Sequence, residues 1–400
     1  MNRNYYNELF YKYFNRKIKI IFNFLTNTNV HIGNGSFTKF IDNLDKDDLG
    51  QILFVLDRGF SNNNYWINLK EKLNTKNVKV AFIYFEGQHE PTYDDLEEML
   101  ILAKKNVPDT IVSVGGGSCM DLAKAISCLL TNNGKALDYR GFDKLEYPGI
   151  NTILVPTTAG TGSESSYNAS FVDKLSEKKM GINGNFMFAN KSILDSETLI
   201  SCPKNALLGS AVDALTHALE GFICNNANEF SDMLAKKAFE YSINNINSVT
   251  NIKENLDSGL NLLKAAHLGG IIQMNSGSGI AAAISYPLSV HFKVPHGIGG
   301  GMFLLAIMKR NIDHGIDKYE ELIPFLRNEK IQNSQELYFY MQDLFDNLGV
   351  PKNLSEFGIN KSHKKKLCEI MKTQQLAFDQ NPIKFSVTED FEKFINNYLE

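Results

Sequence analysis

Up to about residue 200 this chain alternates short apolar runs with helix-patterned stretches, and beyond Cys202-Pro203 only helical patterns remain. Residues 52–57, 78–85, 110–115, 152–155 and 192–195 read as strands, with helical stretches near 93–105 and 121–130 between them. That alternation predicts a largely parallel sheet covered by helices. The change of character predicts two domains: α/β over 1–200 and all-helical over 201–400. A length of 400 residues suits that division. A cleft between two such domains is where a small ligand is expected.

The bulk numbers exclude several classes. A hydrophobic content of 43% suffices for two cores, and a net charge of −4 with no long basic patch argues against a nucleic-acid partner. The run Lys364-Lys365-Lys366 reads as a solvated helix face. Five scattered cysteines without a C-x-x-C pair give neither a zinc ribbon nor a disulfide framework, which fits a reducing cytoplasm. Residues 1–25 lack the apolar core and cleavage site of a signal peptide. The uncharged run 265–290 contains Gln273, Asn275 and four serines, so it predicts a buried helix rather than a membrane span.

Three segments carry candidate chemistry. In Ile111-Val-Ser-Val-Gly115-Gly116-Gly117-Ser118 a strand runs into the helix start at Met120-Asp121. Glycines there let a backbone approach a phosphate, which the free N–H groups and dipole of the helix N-terminus attract. Ser118 could cap the helix or bind a phosphate oxygen. A plain tight turn is the competing reading, because neither G-x-G-x-x-G nor a Walker loop is present. Asp57 ends an earlier strand and suits the hydroxyls of an adenosine ribose, although a simple turn would also use it. The loop Pro156-Thr157-Thr158-Ala-Gly160-Thr161-Gly162-Ser163-Glu164 packs hydroxyls and glycines after a strand, beyond what a generic turn needs.

The third segment is Asp213-Ala-Leu-Thr-His217-Ala-Leu-Glu220-Gly, a helix with Val212, Leu215, Leu219 and Phe222 at apolar positions. Asp213 and His217 lie one turn apart on one face, where a carboxylate and an imidazole can hold a divalent metal. Alone, such a pair is more often a polar surface pair.

Together with Pro295-His296-Gly297, these segments resemble the iron-dependent (group III) alcohol dehydrogenase family, in its order and spacing over residues 25 to 395. The resemblance implies an α/β dinucleotide-binding domain followed by an all-α domain, as in dehydroquinate synthase. It implies NAD on Gly115, Gly116, Gly117, Ser118 and Asp121, along Thr157, Thr158, Thr161 and Ser163, with Asp57 at the ribose. Lys179 would stand near the nicotinamide. A divalent iron or zinc ion would sit on Asp213, His217 and His296, and the protein would be a homodimer. The implied reaction interconverts a primary alcohol and its aldehyde by hydride transfer. Short segments, among them Leu130-Thr-Asn-Asn-Gly134, Tyr139-Arg-Gly-Phe142 and Ser285-Tyr286, resemble the subgroup that oxidises the C8 alcohol of 3-deoxy-manno-octulosonate.

The chain departs from the family at one ligand. The family's further histidine lies 14 residues before the one in Pro-His-Gly, and here that position is Ala282; a second family histidine near the substrate is Tyr286. Three arrangements follow: a metal on three ligands, a replacement ligand from His267, His291 or Tyr286, or a metal-free site using Lys179 or Tyr286 as the electrophile. His267 reads more simply as packing and His291 as solvent-facing, while Tyr286 reads equally as a substrate contact or proton donor and as a core aromatic. His31, His89, His314 and His363 have no companions. The competing functions are a dehydroquinate-synthase-like NAD-dependent lyase and a non-catalytic NAD-binding homologue.

Overall fold

A computed structural model describes residues 22–45, 48–87 and 90–400; most of the 1–25 segment, and His89, lie outside the described residues. The first half builds nine strands: β1 (Asn29–Ile32), β2 (Ile52–Asp57), β3 (Val80–Phe85), β4 (Thr110–Gly115), β5 (Gly141–Phe142), β6 (Asn151–Pro156), β7 (Asn168–Asp173), β8 (Lys178–Asn183) and β9 (Lys191–Leu194). Interleaved are helices α1 (Ser36–Asp42), α2 (Arg58–Ser61), α3 (Asn64–Asn74), α4 (Tyr93–Asn106) and α5 (Gly117–Leu129). Six strands form one parallel sheet in the order β1-β9-β6-β4-β2-β3. Its central strands are apolar at nearly every position because both faces are covered. Leu53, Val55 and Ile111 pack under α4 and α5, while Phe54, Leu56, Val112 and Val114 pack against Trp66 and α1.

This order has a consequence for ligands. From β2 the chain moves outward to β3, then crosses back to place β4 on the other side of β2. The reversal opens a crevice at the carboxyl ends of β2 and β4, the place where parallel sheets bind ligands. Asp57 and Gly115 end those two strands.

The sequence reading missed four strands. β1 is a four-residue edge strand, and β5, β7 and β8 form a second sheet in which β7 and β8 pair antiparallel. The hairpin matters because it carries Lys179.

No strand follows β9 among the described residues. The second half is helical: α6 (Lys204–Ile223), α7 (Glu229–Ile243), α8 (Leu256–Ser276), α9 (Ile280–Phe292), α10 (His296–Asp313), α11 (Ser334–Leu348), α12 (Lys364–Met371), α13 (Gln375–Phe378) and α14 (Glu389–Phe394), with short 3-10 turns. Helix α6 is the axis of this part, buried on every side from Ala211 to Ile223. The uncharged run 265–290 is not one helix. Gly277, at φ +98°, turns the chain between α8 and α9, and a Cβ there would meet Gln380 Oε1 at 1.9 Å. No helix among the described residues is long and apolar enough to cross a membrane.

Candidate active site

The metal-type donors come from two helices. Asp213 and His217 sit on α6, each only 3% exposed, so the surface-pair reading is excluded. His296 is the first residue of α10, brought opposite them by the turn at Lys293–Pro295. His217 Nε2 is 3.2 Å and His296 Nε2 3.8 Å from Asp213 Oδ1, and one donor atom from each residue lies within 4.8 Å of the others. Burial pushes the Asp213 carboxyl upward, but the two imidazoles outweigh it and hold it below the usual range. Burial lowers His296, which favours the neutral, ligating form.

These residues fit a divalent cation. Both ring nitrogens of His217 are buried and neither makes a well-aligned hydrogen bond; Nε2 only faces the Asp213 carboxylate at 3.2 Å. Buried polar atoms without well-aligned partners are costly unless something satisfies them, and a carboxylate with two imidazoles is a donor set that iron or zinc accepts. Ala282 offers nothing to a metal: it is buried in the first turn of α9, its N–H given to Glu220 Oε2 at 3.2 Å. Two of the proposed replacements are engaged elsewhere. His267 Nδ1 lies 3.2 Å from Glu164 Oε1 in a buried pair, and His291 Nδ1 is 3.7 Å from Glu177 Oε2. Tyr286 stays beside the donors, its ring packed against that of His296 at a 36° tilt, centroids 4.6 Å apart.

Glu220 ties this assembly together. One helical turn beyond His217, its carboxylate accepts the N–H groups of Gly279, Ala281 and Ala282 at 2.9, 2.6 and 3.2 Å. The helix that carries two donors thereby caps the N-terminus of α9. Burial pushes the Glu220 carboxyl up to about 7, although those N–H groups pull it down.

A lysine stands on the opposite wall. Lys179 Nζ, on β8, donates to Glu90 Oε2 at 2.7 Å and lies 5.5 Å from the centroid of the Tyr286 ring. Glu90 also accepts from Ser289 Oγ of α9 at 3.0 Å, so it bridges the α/β and helical parts. Burial opposes both charges, yet each partner outweighs it: Lys179 is raised, and Glu90 is lowered to about 2. Sequence reading missed Glu90, since its role exists only across 89 and 199 residues of chain. Burial raises Tyr286, which keeps its phenol protonated. Lys179, Tyr286 and the three donors line one cavity of about 80 Å³, together with Asn168 and Gln273.

The glycine turn lies at the crevice of the sheet. Gly116 precedes α5 without a side-chain cap, and α5 begins at Gly117. Ser118 is therefore not the cap that the sequence suggested; it lies in the first turn and lines a cleft of about 490 Å³ shared with Glu90, Ser289 and Lys293. The second loop packs on the first. Thr157 N–H donates to Gly115 O at 3.0 Å, and a Cβ on Gly117 would meet Thr161 Oγ1 at 2.7 Å. Thr158 is beside Gly116 and leaves a Cβ there 3.4 Å of room. Asp57 Oδ1 accepts the Phe60 N–H at 3.2 Å, and its Oδ2 is 3.0 Å from where a Gly87 Cβ would stand.

Two predicted cofactor residues are occupied by the scaffold. Ser163 Oγ donates to Asp121 Oδ1, while Asp121 Oδ2 accepts the Ser170 N–H at 2.9 Å. Buried Lys124 pairs with Asp121 at 3.2 Å and donates to the carbonyl oxygens of Ser163 and Ser166 at 2.8 and 3.3 Å. These bonds clamp the second loop to α5.

Comparison with known proteins agrees with this architecture. The family description "Iron-containing alcohol dehydrogenase" matches residues 27–196, and "Fe-containing alcohol dehydrogenase family, C-terminal" matches 208–397. The chain is 31% identical to alcohol dehydrogenase 4 of Schizosaccharomyces pombe over 259 residues, 65% of this chain and 61% of that protein. It is 28% identical to sulfoacetaldehyde reductase of Bilophila wadsworthia over 314 residues, 77% of this chain and 81% of that protein. The structure of an alcohol dehydrogenase from Oenococcus oeni superposes with a TM-score of 0.86 at 22% identity, covering 94% of this chain and all (100%) of that one. With its NAD-type crevice and its Asp213/His217/His296 donor triad, the chain belongs to the iron-containing alcohol dehydrogenase family of NAD-dependent oxidoreductases.

Proposed function

We propose that the protein interconverts a primary alcohol and its aldehyde, with NAD in the crevice of the α/β domain and a divalent iron or zinc ion on Asp213, His217 and His296. The observation that carries this reading is the convergence of the three donors, Lys179 and Tyr286 on one cavity. The two units meet near residue 200 and act as one, since Glu90 and Ser289 join them.

When bound, NAD exchanges the hydride, and the metal ion stabilises negative charge on the substrate oxygen. The chain's residues bind, orient and hold charge. Gly115, Gly116, Gly117 and Ser118 offer backbone donors to a pyrophosphate; Thr157, Thr158 and Thr161 line the cofactor's path. Asp121 and Ser163 hold that path in place from behind. Asp57 takes the ribose hydroxyls and repels a 2′-phosphate, which favours NAD over NADP. Lys179 keeps its proton on Nζ, and its charge favours an oxyanion in the cavity. Tyr286 closes the cavity, keeps its phenolic proton and packs against the His296 ring.

The substrate is a polar one, a sugar or sugar acid such as 3-deoxy-manno-octulosonate. Asn168 Oδ1 is buried without a hydrogen-bond partner beside the donor triad, and Gln273 lines the same cavity. A substrate hydroxyl would satisfy that oxygen where an alkyl chain would leave it orphaned. The family resemblance implies a homodimer. NADH absorbance with a panel of simple alcohols, sugars and sugar acids tests the reading. Faster turnover of the hydroxylated substrates supports it; preference for long-chain alkyl alcohols contradicts it, and NAD binding without any turnover would favour the non-catalytic alternative.

A further inference from the structure

To bind a metal beside Asp213, His296 has to present the nitrogen that faces it. It sits at the first position of α10, and its ring is free to protonate on either side. Nδ1 lies 2.6 Å from Ser285 Oγ of α9. The same hydroxyl lies 2.7 Å from the carbonyl oxygen of Ala282.

A serine hydroxyl has one proton, and a carbonyl oxygen can only accept. The Ser285 proton therefore goes to Ala282 O. The contact with Nδ1 is then a hydrogen bond only if Nδ1 carries a proton and donates to Oγ. That leaves the lone pair on Nε2, which faces Asp213 Oδ1 at 3.8 Å. Two acceptors confront each other there, and a cation between them resolves the conflict.

A plainer account has Ser285 simply bonding back to the helix carbonyl three residues earlier, as buried helical serines do. That account explains the Ala282 contact but not the short one to a different helix. The helix positions are also set independently of this bond. Glu220 holds the first turn of α9, and a Cβ on Gly299 would come within 3.2 Å of Ser285 Cβ, so α9 and α10 meet closely at this point. Ser285 is 1% exposed, so water does not compete for its hydroxyl.

We infer that Ser285 is a positioning residue whose hydroxyl fixes His296 as the Nδ1–H tautomer and turns Nε2 toward the metal. It supplies order to a donor set that has lost the histidine replaced by Ala282. The inference rests on the reading of Asp213, His217 and His296 as a metal site, but the tautomer itself can be measured without metal.

Nitrogen-15 histidine spectra of the metal-free protein at pH 8, assigned with His296→Gln, will place the proton on Nδ1; a proton on Nε2 overturns the inference. Zinc affinity, measured by competition with a chromophoric chelator, will fall about 10- to 100-fold in Ser285→Ala, the usual effect of losing a partner behind a ligating histidine. NAD affinity and Tm, read on the same variant, will stay close to wild type. Zinc affinity unchanged within twofold would overturn the inference. Wild-type protein that binds no zinc would sink the metal reading, and the tautomer spectrum would still decide the part played by Ser285.

Discussion

At the scale of single residues, charge placement makes the sharpest demands. If Asp57 faces the adenosine ribose as proposed, Asp57→Ser should raise the preference for NADP relative to NAD by at least about tenfold, roughly 1.4 kcal/mol. The ratio of kcat/KM for the two cofactors measures it. Lys179→Ala removes the cation beside the cavity and leaves Glu90 buried without it; kcat should drop about 100-fold or more while NAD affinity changes little. Asp213 and His217 could be read from the chain as candidates because they lie one helical turn apart, and His296 joined them only through the family resemblance of Pro295-His296-Gly297. Glu90 and Ser285 could not. Nothing local distinguishes them from any other glutamate or helical serine, and their partners are reached only by folding.

Among the elements, close backbone approach sets the site. The second loop is wedged against the helical domain at Gly162, where φ is +61° and a Cβ would stand 2.3 Å from Ala266 O. Gly162→Ala should therefore destabilise the protein by at least about 2 kcal/mol in urea unfolding, through overpacking and a left-handed backbone. Lys124 works the same loop from the other side. Lys124→Met leaves Asp121 without its buried partner and should cost about 3–5 kcal/mol. The loops that matter were legible because glycines and hydroxyls crowd the ends of strongly apolar strands. The β7–β8 hairpin was not. Its strands match the main-sheet strands in length but are more polar, and only alternate residues of β7 are buried, a weaker signal than the continuous apolar runs of the main sheet. The run 265–290 lacked charge throughout, so its break at Gly277 was invisible to a reading based on polarity.

For the whole molecule, the α/β and helical halves both line the candidate active site, and the Lys179–Glu90–Ser289 chain joins them. The sign of its pH dependence follows from Glu90. Its carboxyl is lowered from 4.5 to about 2 on folding, so its contribution is fully present above about pH 4.5 and disappears as pH falls through about 2. Unfolding free energy should therefore fall between those values by up to about 3 kcal/mol more in wild type than in Glu90→Gln. The division into two halves was legible from the loss of strand patterns after Cys202, whereas the bonds that join them lie between residues far apart in the chain. The central claim is that a divalent ion on Asp213, His217 and His296 is required for turnover despite Ala282. Metal content and NADH-linked activity, followed together through chelator stripping and refilling with zinc or ferrous ion, test it most directly. The account predicts one metal per chain in protein purified without chelator, activity lost in step with the metal and regained on refilling, and neither in Asp213→Ala. Metal-free protein that turns over at the full rate would contradict it.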